Sequence, residues 1–399
     1  MISVEEAEKI LSENYRDFGT EKIPIEKAVG RIIREDIVAD RDFPPFDRVT
    51  MDGIAIRHNA IEKGDIEFSI RGTAAAGDPQ KSLREKGACL EVMTGAIMPD
   101  GLDTVVPYEK IEIRDGKAYL KTEEIKYKQN IHFRAEDRRK GDILIPSGMK
   151  ISAAEIGLCA TVGKSKIIVS RLPNTIIIST GKELVGIDEN PKAHQIRKSN
   201  VYAIQALLKK VQIEAITMHL PDDYNTVIKR LRELLNEFEI IILSGGVSKG
   251  KFDLIPNALE ELGLKKCFHR IAQRPGKPFW FGTLENRVTV FALPGNPVSS
   301  FLCINYYFFD WLNASIEANK NKRPLAKLGG DIEFKADLTY FLEVNLEYTE
   351  KAELVAFPNK GNGSGDLANL VNVKAFIVLP RGKDVFKKGE AYEVVMFRG

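Results

Sequence analysis

The run Ile240-Ile241-Ile242-Leu243 passes without a break into Ser244-Gly245-Gly246-Val247-Ser248, and this junction constrains the fold more than any other segment. A β-branched apolar run of this kind reads as a strand buried on both faces, as in the interior of a parallel sheet. It ends in adjacent glycines, which accept positive φ and let a ligand approach the main chain, and in hydroxyls and N–H groups that suit an anion. A phosphate-bearing or oxyanionic ligand is therefore the first functional expectation. The alternative is a tight strand-to-helix turn without a ligand, since glycine-rich turns are common.

The flanking sequence repeats the theme. Thr175 to Ser179 is a buried strand, Asn200 to Lys210 a helix, Glu214 to Met218 a strand, and Tyr224 to Asn236 a helix with Leu231, Leu234 and Leu235 on its apolar face. After Ile240 come a helix near Leu254 to Leu262, strands near Phe268 to Ala272 and Val288 to Leu293, and a helix from Pro297 to about Trp311. This alternation predicts a doubly wound, mostly parallel α/β domain over 171–322, whose ligands sit at the carboxyl ends of the strands.

At 399 residues the chain is too long for one core, and the rest reads as further domains of an α/β multidomain protein. Ser3 with Glu6 is a capping box opening a short helix through Leu11, and this helix, in segment 1–20, is expected to pack on the α/β domain. Segments 21–45 and 141–170 are assigned to a small linker domain. Segment 46–140, short strands broken by Gly, Asp and Pro, is a β-rich module, and 323–399, with alternation in Tyr340 to Leu346 and Phe376 to Leu379, a carboxyl-terminal β-barrel.

Composition excludes several classes. A net charge of +2 with dispersed Lys and Arg gives no reason to expect nucleic acid or a membrane surface as a partner. Four isolated cysteines without a C-x-x-C pair argue against disulfides or structural zinc, and no stretch resembles a signal peptide or a membrane span. The chain reads as cytoplasmic. Neither G-x-G-x-x-G nor a Walker loop is present, and the five scattered histidines offer no hydrolytic triad.

Four loops are expected at strand ends of the α/β sheet: Ser179-Thr180-Gly181-Lys182-Glu183, the Ser244 loop, Arg274-Pro275-Gly276-Lys277-Pro278, and Leu293-Pro294-Gly295-Asn296-Pro297-Val298-Ser299. Each is ordinary punctuation taken singly, but four on one sheet edge imply a site. Lys277 and Arg274, flanked by prolines, are positioned cations for phosphate or a tetrahedral oxyanion, or else a solvated basic turn. Asp253 and Glu183 are candidate Mg²⁺ ligands, since Mg²⁺ takes carboxylates together with phosphate oxygens; the alternative for both is helix capping. Pro297 suits the first turn of a helix whose N–H groups face an anion. The β-rich module carries a second set: Asp52 in Met51-Asp52-Gly53, Thr94 and Gly95 in Met93-Thr94-Gly95-Ala96, and Asp137 after Glu136, each of which is also an ordinary hairpin element.

Taken in order over nearly the whole chain, these motifs, with Pro44-Pro45-Phe46-Asp47, resemble the molybdopterin molybdenumtransferase (MoeA) family, which is similar to the carboxyl-terminal domain of the scaffold gephyrin. The resemblance implies Mg²⁺-dependent insertion of molybdate into adenylylated molybdopterin, giving molybdenum cofactor and AMP. It also implies an elongated homodimer of four-domain subunits, with the cleft between the α/β domain of one subunit and the β-rich module of the other. On it, Ser244, Gly245, Gly246 and Ser248 hold the pterin phosphate region, Asp253 serves metal or substrate, and Lys277, Arg274 and Ser299 form the molybdate pocket. Asp52, Thr94 and Asp137 reach the cleft across the dimer, and Asp52, Asp137, Asp253 and Lys277 are the candidate catalytic residues. Thr94, Gly95, Glu183, Ser199, Asn200, Pro275, Gly276, Pro294, Asn296 and Pro297 complete the substrate-binding set. The adenylyltransferase of the preceding step and acceptor molybdoenzymes are the partners it suggests.

The chain departs from the family pattern at three places. Lys198 stands where an acidic residue usually precedes Ser199-Asn200, Glu343 where Arg is frequent, and Ala368 and Asn369 where serines usually follow Gly363-Ser364-Gly365. Two alternatives compete with the transferase reading: a molybdopterin adenylyltransferase, which would not need the Asp52, Thr94 and Asp137 segments, and a non-catalytic gephyrin-like scaffold.

Overall fold

In the computed structural model, which describes residues 1–122, 124–247, 254–319 and 322–398, the Ile240–Ser244 strand lies third in a six-stranded sheet. The order is Ile216–Leu220, Thr175–Thr180, Ile240–Ser244, Val288–Leu293, Trp280–Leu284, Lys265–His269. The first four strands are parallel and the last two run antiparallel to their neighbours. Side chains alternate across the sheet. Ile177, Ile240 and Ile242 join one apolar cluster with Val201, Leu208 and Leu302, while Ile176, Ile178, Ile241 and Leu243 join another with Val227, Leu231 and Leu259. An apolar side chain removed from water contributes about 1.5–3 kcal/mol, so a strand covered on both faces favours an unbroken apolar run.

The opening helix, Val4–Glu13, is capped as expected: Glu6 N–H donates to Ser3 Oγ at 3.1 Å, and Ser3 N–H to Glu6 Oε2 at 2.7 Å. Val4, Ala7 and Leu11 bury in the first of these clusters. The helix expected from Pro297 is Pro297–Cys303, a π-helical stretch Ile304–Phe308, and Phe309–Ser315.

Three expectations need correction. The strand placed at Glu214 to Met218 is Ile216–Leu220, because the chain turns through Gln212 at φ +61° before extending. The strand placed at Phe268 to Ala272 is Lys265–His269, and its partner Trp280–Leu284 was not anticipated. Gln273–Arg274 is not a strand end of this sheet; it pairs in parallel with Thr339 and Tyr340 at the edge of the next domain.

That next domain is a closed barrel of five strands: Leu325–Leu328, Thr339–Tyr348, Leu354–Pro358, Ala375–Leu379 and Ala391–Met396. Leu342, Val344 and Leu346 fill its interior, while Phe341 on the opposite face packs into the α/β core. These elements, with residues 1–34, 148–153 and 166–174, form one compact unit.

The second unit comprises 35–147 and 154–165. Its six-stranded sheet runs Thr104–Pro107, Gly53–Ile56, Ala88–Val92, Glu67–Ala74, Lys117–Leu120, Ile111–Arg114. Of the segments assigned to a linker domain, Thr20–Pro24 pairs with Lys166–Ser170 in the first unit, and Ile37–Val38 with Ile143–Ile145 in the second. No helix among the described residues is long and apolar enough to cross a membrane.

Candidate active site

Ser179, Ser244 and Leu293 are register partners on adjacent parallel strands, so three of the four loops leave the sheet side by side. They frame a cavity of about 640 Å³. Of the anticipated residues, Glu183, Ser199, Asn200, Ser244, Gly245, Gly246, Pro294, Asn296 and Pro297 line it.

Asn200 organises the floor. Its Nδ2 donates to Ser244 Oγ at 2.9 Å and to the Gly295 carbonyl at 2.7 Å, which ties the start of the Asn200–Lys209 helix to both loops. Ser199 makes no side-chain cap, leaving that helix start open to an anion. Gly245 and Gly246 sit at φ +100° and +70°, and a Cβ on Gly246 would come within 2.8 Å of Ile255 Cγ1 and 2.9 Å of Thr180 Oγ1. The Gly245 N–H is already spent on the Leu293 carbonyl at 3.1 Å. Ser248 and Asp253 lie outside the described residues.

Four lining residues were not anticipated as ligands. Thr180 is 6% exposed and its Oγ1 has no hydrogen-bond partner among the described residues. Leaving a buried hydroxyl unpaired costs about 1–3 kcal/mol, which a ligand oxygen over the glycines would recover. Asp222 Oδ2 accepts from Lys182 N–H at 3.0 Å and holds the Gly181 turn beside Glu183. Lys198 and Arg197 bring positive charge to the opposite wall. Burial and the nearby Lys198 hold His219, hydrogen-bonded to Ser179 Oγ at 3.0 Å, below the usual histidine range.

The fourth loop lies elsewhere. Arg274 and Pro275 line a separate cavity of about 360 Å³ bounded by the barrel and the 360–365 loop. Gly276 is buried, Lys277 is half-buried and lines neither cavity, and Pro278 lines the larger. Ser299 is 3% exposed and lines neither cavity, so the sequence-based placement of Ser299 in a molybdate pocket with Arg274 does not match the geometry. Asn296 Nδ2 donates to Ser364 Oγ at 2.6 Å, joining the α/β domain to the barrel loop between the two cavities.

In the second unit, three distant motifs meet on one segment. Asp52 Oδ1 accepts from Thr94 N–H at 2.6 Å and Thr94 Oγ1 at 2.7 Å, and these bonds hold its carboxyl below the usual range. The adjoining Gly95 N–H donates to the Val49 carbonyl at 2.9 Å. Arg48–Val49 pairs with Ile131–His132, and His132 Nε2 lies 3.0 Å from Asp137 Oδ1. Asp52, Thr94 and Asp137 are exposed around this segment.

Comparison with known proteins supplies the lineage. Residues 2–163 match the MoeA N-terminal region (domain I and II), 176–314 the probable molybdopterin binding domain, and 325–397 the MoeA C-terminal region (domain IV). A molybdopterin molybdenumtransferase from Synechocystis sp. is 38% identical over 396 residues, covering 98% of this chain and 99% of that protein. The chain belongs to the molybdopterin molybdenumtransferase family. The namesake from Haemophilus influenzae is 30% identical, covering 95% of this chain and 94% of its own. The crystal structure of the molybdopterin biosynthesis MoeA protein from Pyrococcus horikoshii superimposes with a TM-score of 0.84 at 28% identity, with 100% of both chains covered. The multidomain α/β architecture with its terminal barrel is thus that of the family.

Proposed function

We propose that this chain is a molybdopterin molybdenumtransferase, which inserts molybdate into adenylylated molybdopterin and releases AMP and molybdenum cofactor. The observation that carries this reading is the match to full-length transferases, with all three family regions in order. It favours the transferase over a lone adenylyltransferase, which would have no need of residues 35–147. Turnover with adenylylated molybdopterin and molybdate separates an enzyme from a gephyrin-like scaffold; no cofactor formation would refute the assignment.

The chemistry joins two anions while a phosphoanhydride is cleaved, so charge neutralisation and positioning matter more than a nucleophile. Ser244, held by Asn200, together with Gly246 and the unpartnered Thr180 hydroxyl supplies neutral donors for the phosphate region, and Lys198 and Arg197 supply charge. The N-terminal N–H groups of the helix after Ser199 extend this cradle. Arg274 and Lys277 receive molybdate. Asp52, Thr94 and Asp137 act from the β-rich module.

The residues fit a Mg²⁺ ion. Mg²⁺ takes one or two carboxylates and completes its shell with phosphate oxygens and water, and Glu183 and Asp222 are two such carboxylates on the larger cavity. Asp253 is a third candidate. When bound, the ion would supply Lewis-acid neutralisation of the phosphoanhydride.

The protein works as a cytoplasmic homodimer in which the partner's β-rich module completes each cleft. Sedimentation giving a concentration-independent monomer at micromolar protein would refute this. Lys277→Ala is expected to raise the molybdate concentration for half-maximal turnover roughly tenfold to a hundredfold while sparing adenylylated molybdopterin.

A further inference from the structure

The smaller cavity contains a carboxylate that the proposed chemistry does not use. Glu343 lies on the Thr339–Tyr348 barrel strand, one pleat on from Phe341, and is only 6% exposed. It lines the cavity of about 360 Å³ together with Arg274, Tyr340 and Lys360. Among the described residues neither Arg274 nor Lys360 forms an ion pair, and the Glu343 carboxylate has no side-chain partner. The groups facing Glu343 are Tyr340 from its own strand, Arg274 from the short segment paired with that strand, and Lys360 and Asp366 from the barrel loop. The residue opposite it on the neighbouring strand is Phe376, which carries no charge.

Two exposed cations on the rim of one open pocket suit a tetrahedral oxyanion, whereas an ionised Glu343 buried in the same pocket repels it. A protonated carboxyl does the reverse, because it becomes an O–H donor. We propose that this cavity is a proton-coupled oxyanion site, in which a dianion enters between Arg274 and Lys360 together with one proton from solvent that Glu343 takes up and turns into a hydrogen bond to a ligand oxygen. This rests on the reading of Arg274 as an oxyanion ligand and extends it to Lys360 and Glu343. The environment is consistent: burial, with Asp366 nearby, pushes the Glu343 carboxyl above the usual range against the opposing pull of its own backbone N–H and, more weakly, of Arg274 and Lys360. Burial likewise pushes the Tyr340 phenol up to about 12, so it stays neutral.

The test is calorimetric titration of sodium molybdate into the full-length protein at about pH 8, in two buffers of different ionisation enthalpy, which reads the protons taken up per oxyanion bound. The wild type is expected to take up close to one proton, with affinity falling towards tenfold per pH unit on the alkaline side. Glu343→Gln, which keeps a donor but cannot titrate, should take up none and bind with a flat pH profile. Lys360→Ala should weaken molybdate about tenfold or more and places the ligand in this cavity. Equal proton uptake by wild type and Glu343→Gln, no uptake by the wild type, or unchanged affinity in Lys360→Ala overturns the proposal. Turnover is measured separately: cofactor formation without proton uptake refutes the coupling and leaves the transferase reading intact, and proton-coupled binding without turnover does the opposite.

Discussion

Gly276→Ala should unsettle the loop that carries Lys277, by an amount that follows from two contacts. Gly276 sits at φ +93°, where a residue with a Cβ costs roughly 1–2 kcal/mol. An added Cβ would also lie 2.6 Å from Gln273 Nε2 and 3.1 Å from Cys303 Sγ. Neither neighbour can retreat easily: Gln273 is 1% exposed, its Nε2 donates to the Pro275 carbonyl at 3.0 Å, and its Oε1 accepts from the Tyr307 hydroxyl. Overpacking of this kind costs about 1–3 kcal/mol, and breaking the amide's bonds instead costs a similar amount, so the total is roughly 2–5 kcal/mol. Both tryptophans, Trp280 and Trp311, are buried in the same compact unit, so urea unfolding followed by tryptophan fluorescence reads its stability. Repeating the substitution in a Gln273→Ala background removes the closer contact and should leave the backbone cost of about 1–2 kcal/mol together with the milder 3.1 Å contact with Cys303 Sγ, a smaller loss than in the wild-type background. A loss below about 1 kcal/mol, or an equal loss in both backgrounds, would refute the contact argument.

Other expectations follow from single contacts. Arg323 lies 3.8 Å from the Tyr306 ring centroid and pairs with Glu8 at 3.0 Å, Glu393 at 3.3 Å and Asp310. Arg323→Ala should cost about 1–3 kcal/mol in urea unfolding, with Lys recovering only part, and an unchanged midpoint would deny the cluster a structural role. Lys383, Tyr392 and the Lys387 N–H hold the Glu390 carboxyl down to about 2. A depressed carboxyl stabilises the fold above its unfolded value of about 4.3 and loses that contribution as the pH falls towards the folded value, so the stability gap between wild type and Lys383→Met should close on acidification. Burial pushes the Cys89 thiol up to about 12 and Cys303 is fully buried, so iodoacetamide followed by mass spectrometry should find Cys267, the most accessible of the four, labelled first. Asp52→Ala removes the acceptor for both Thr94 donors and should lower turnover by roughly tenfold or more with an unchanged circular dichroism spectrum.

What the sequence determined by itself was whatever depends on neighbours along the chain. The Ile240 and Thr175 runs announced doubly covered strands because an unbroken apolar stretch has no polar face to leave in water. Ser3 with Glu6 announced the helix start because capping is a contact over three residues, and the Gly245-Gly246 turn announced positive φ because only glycine is free to adopt it. The ordered series of loops was enough to indicate the family. Tertiary structure decided what depends on pairings between distant segments. Arg274-Pro275 looked like another end of the α/β sheet, yet Gln273–Arg274 adds to the barrel edge beside Thr339, a register that no local pattern encodes. Ser299 had the right chemistry, but the helix it belongs to buries it. Thr180 stood in a quoted loop without a role, and Asp222 and Lys360 carried no motif; they became candidates only when folding left a hydroxyl without a partner, a carboxylate on the cavity wall and a cation facing Glu343. Glu343 was visible in the sequence as a departure. Its physical meaning comes from burial, because desolvating a carboxylate is costly and the surroundings that cover it arrive from three separate parts of the chain.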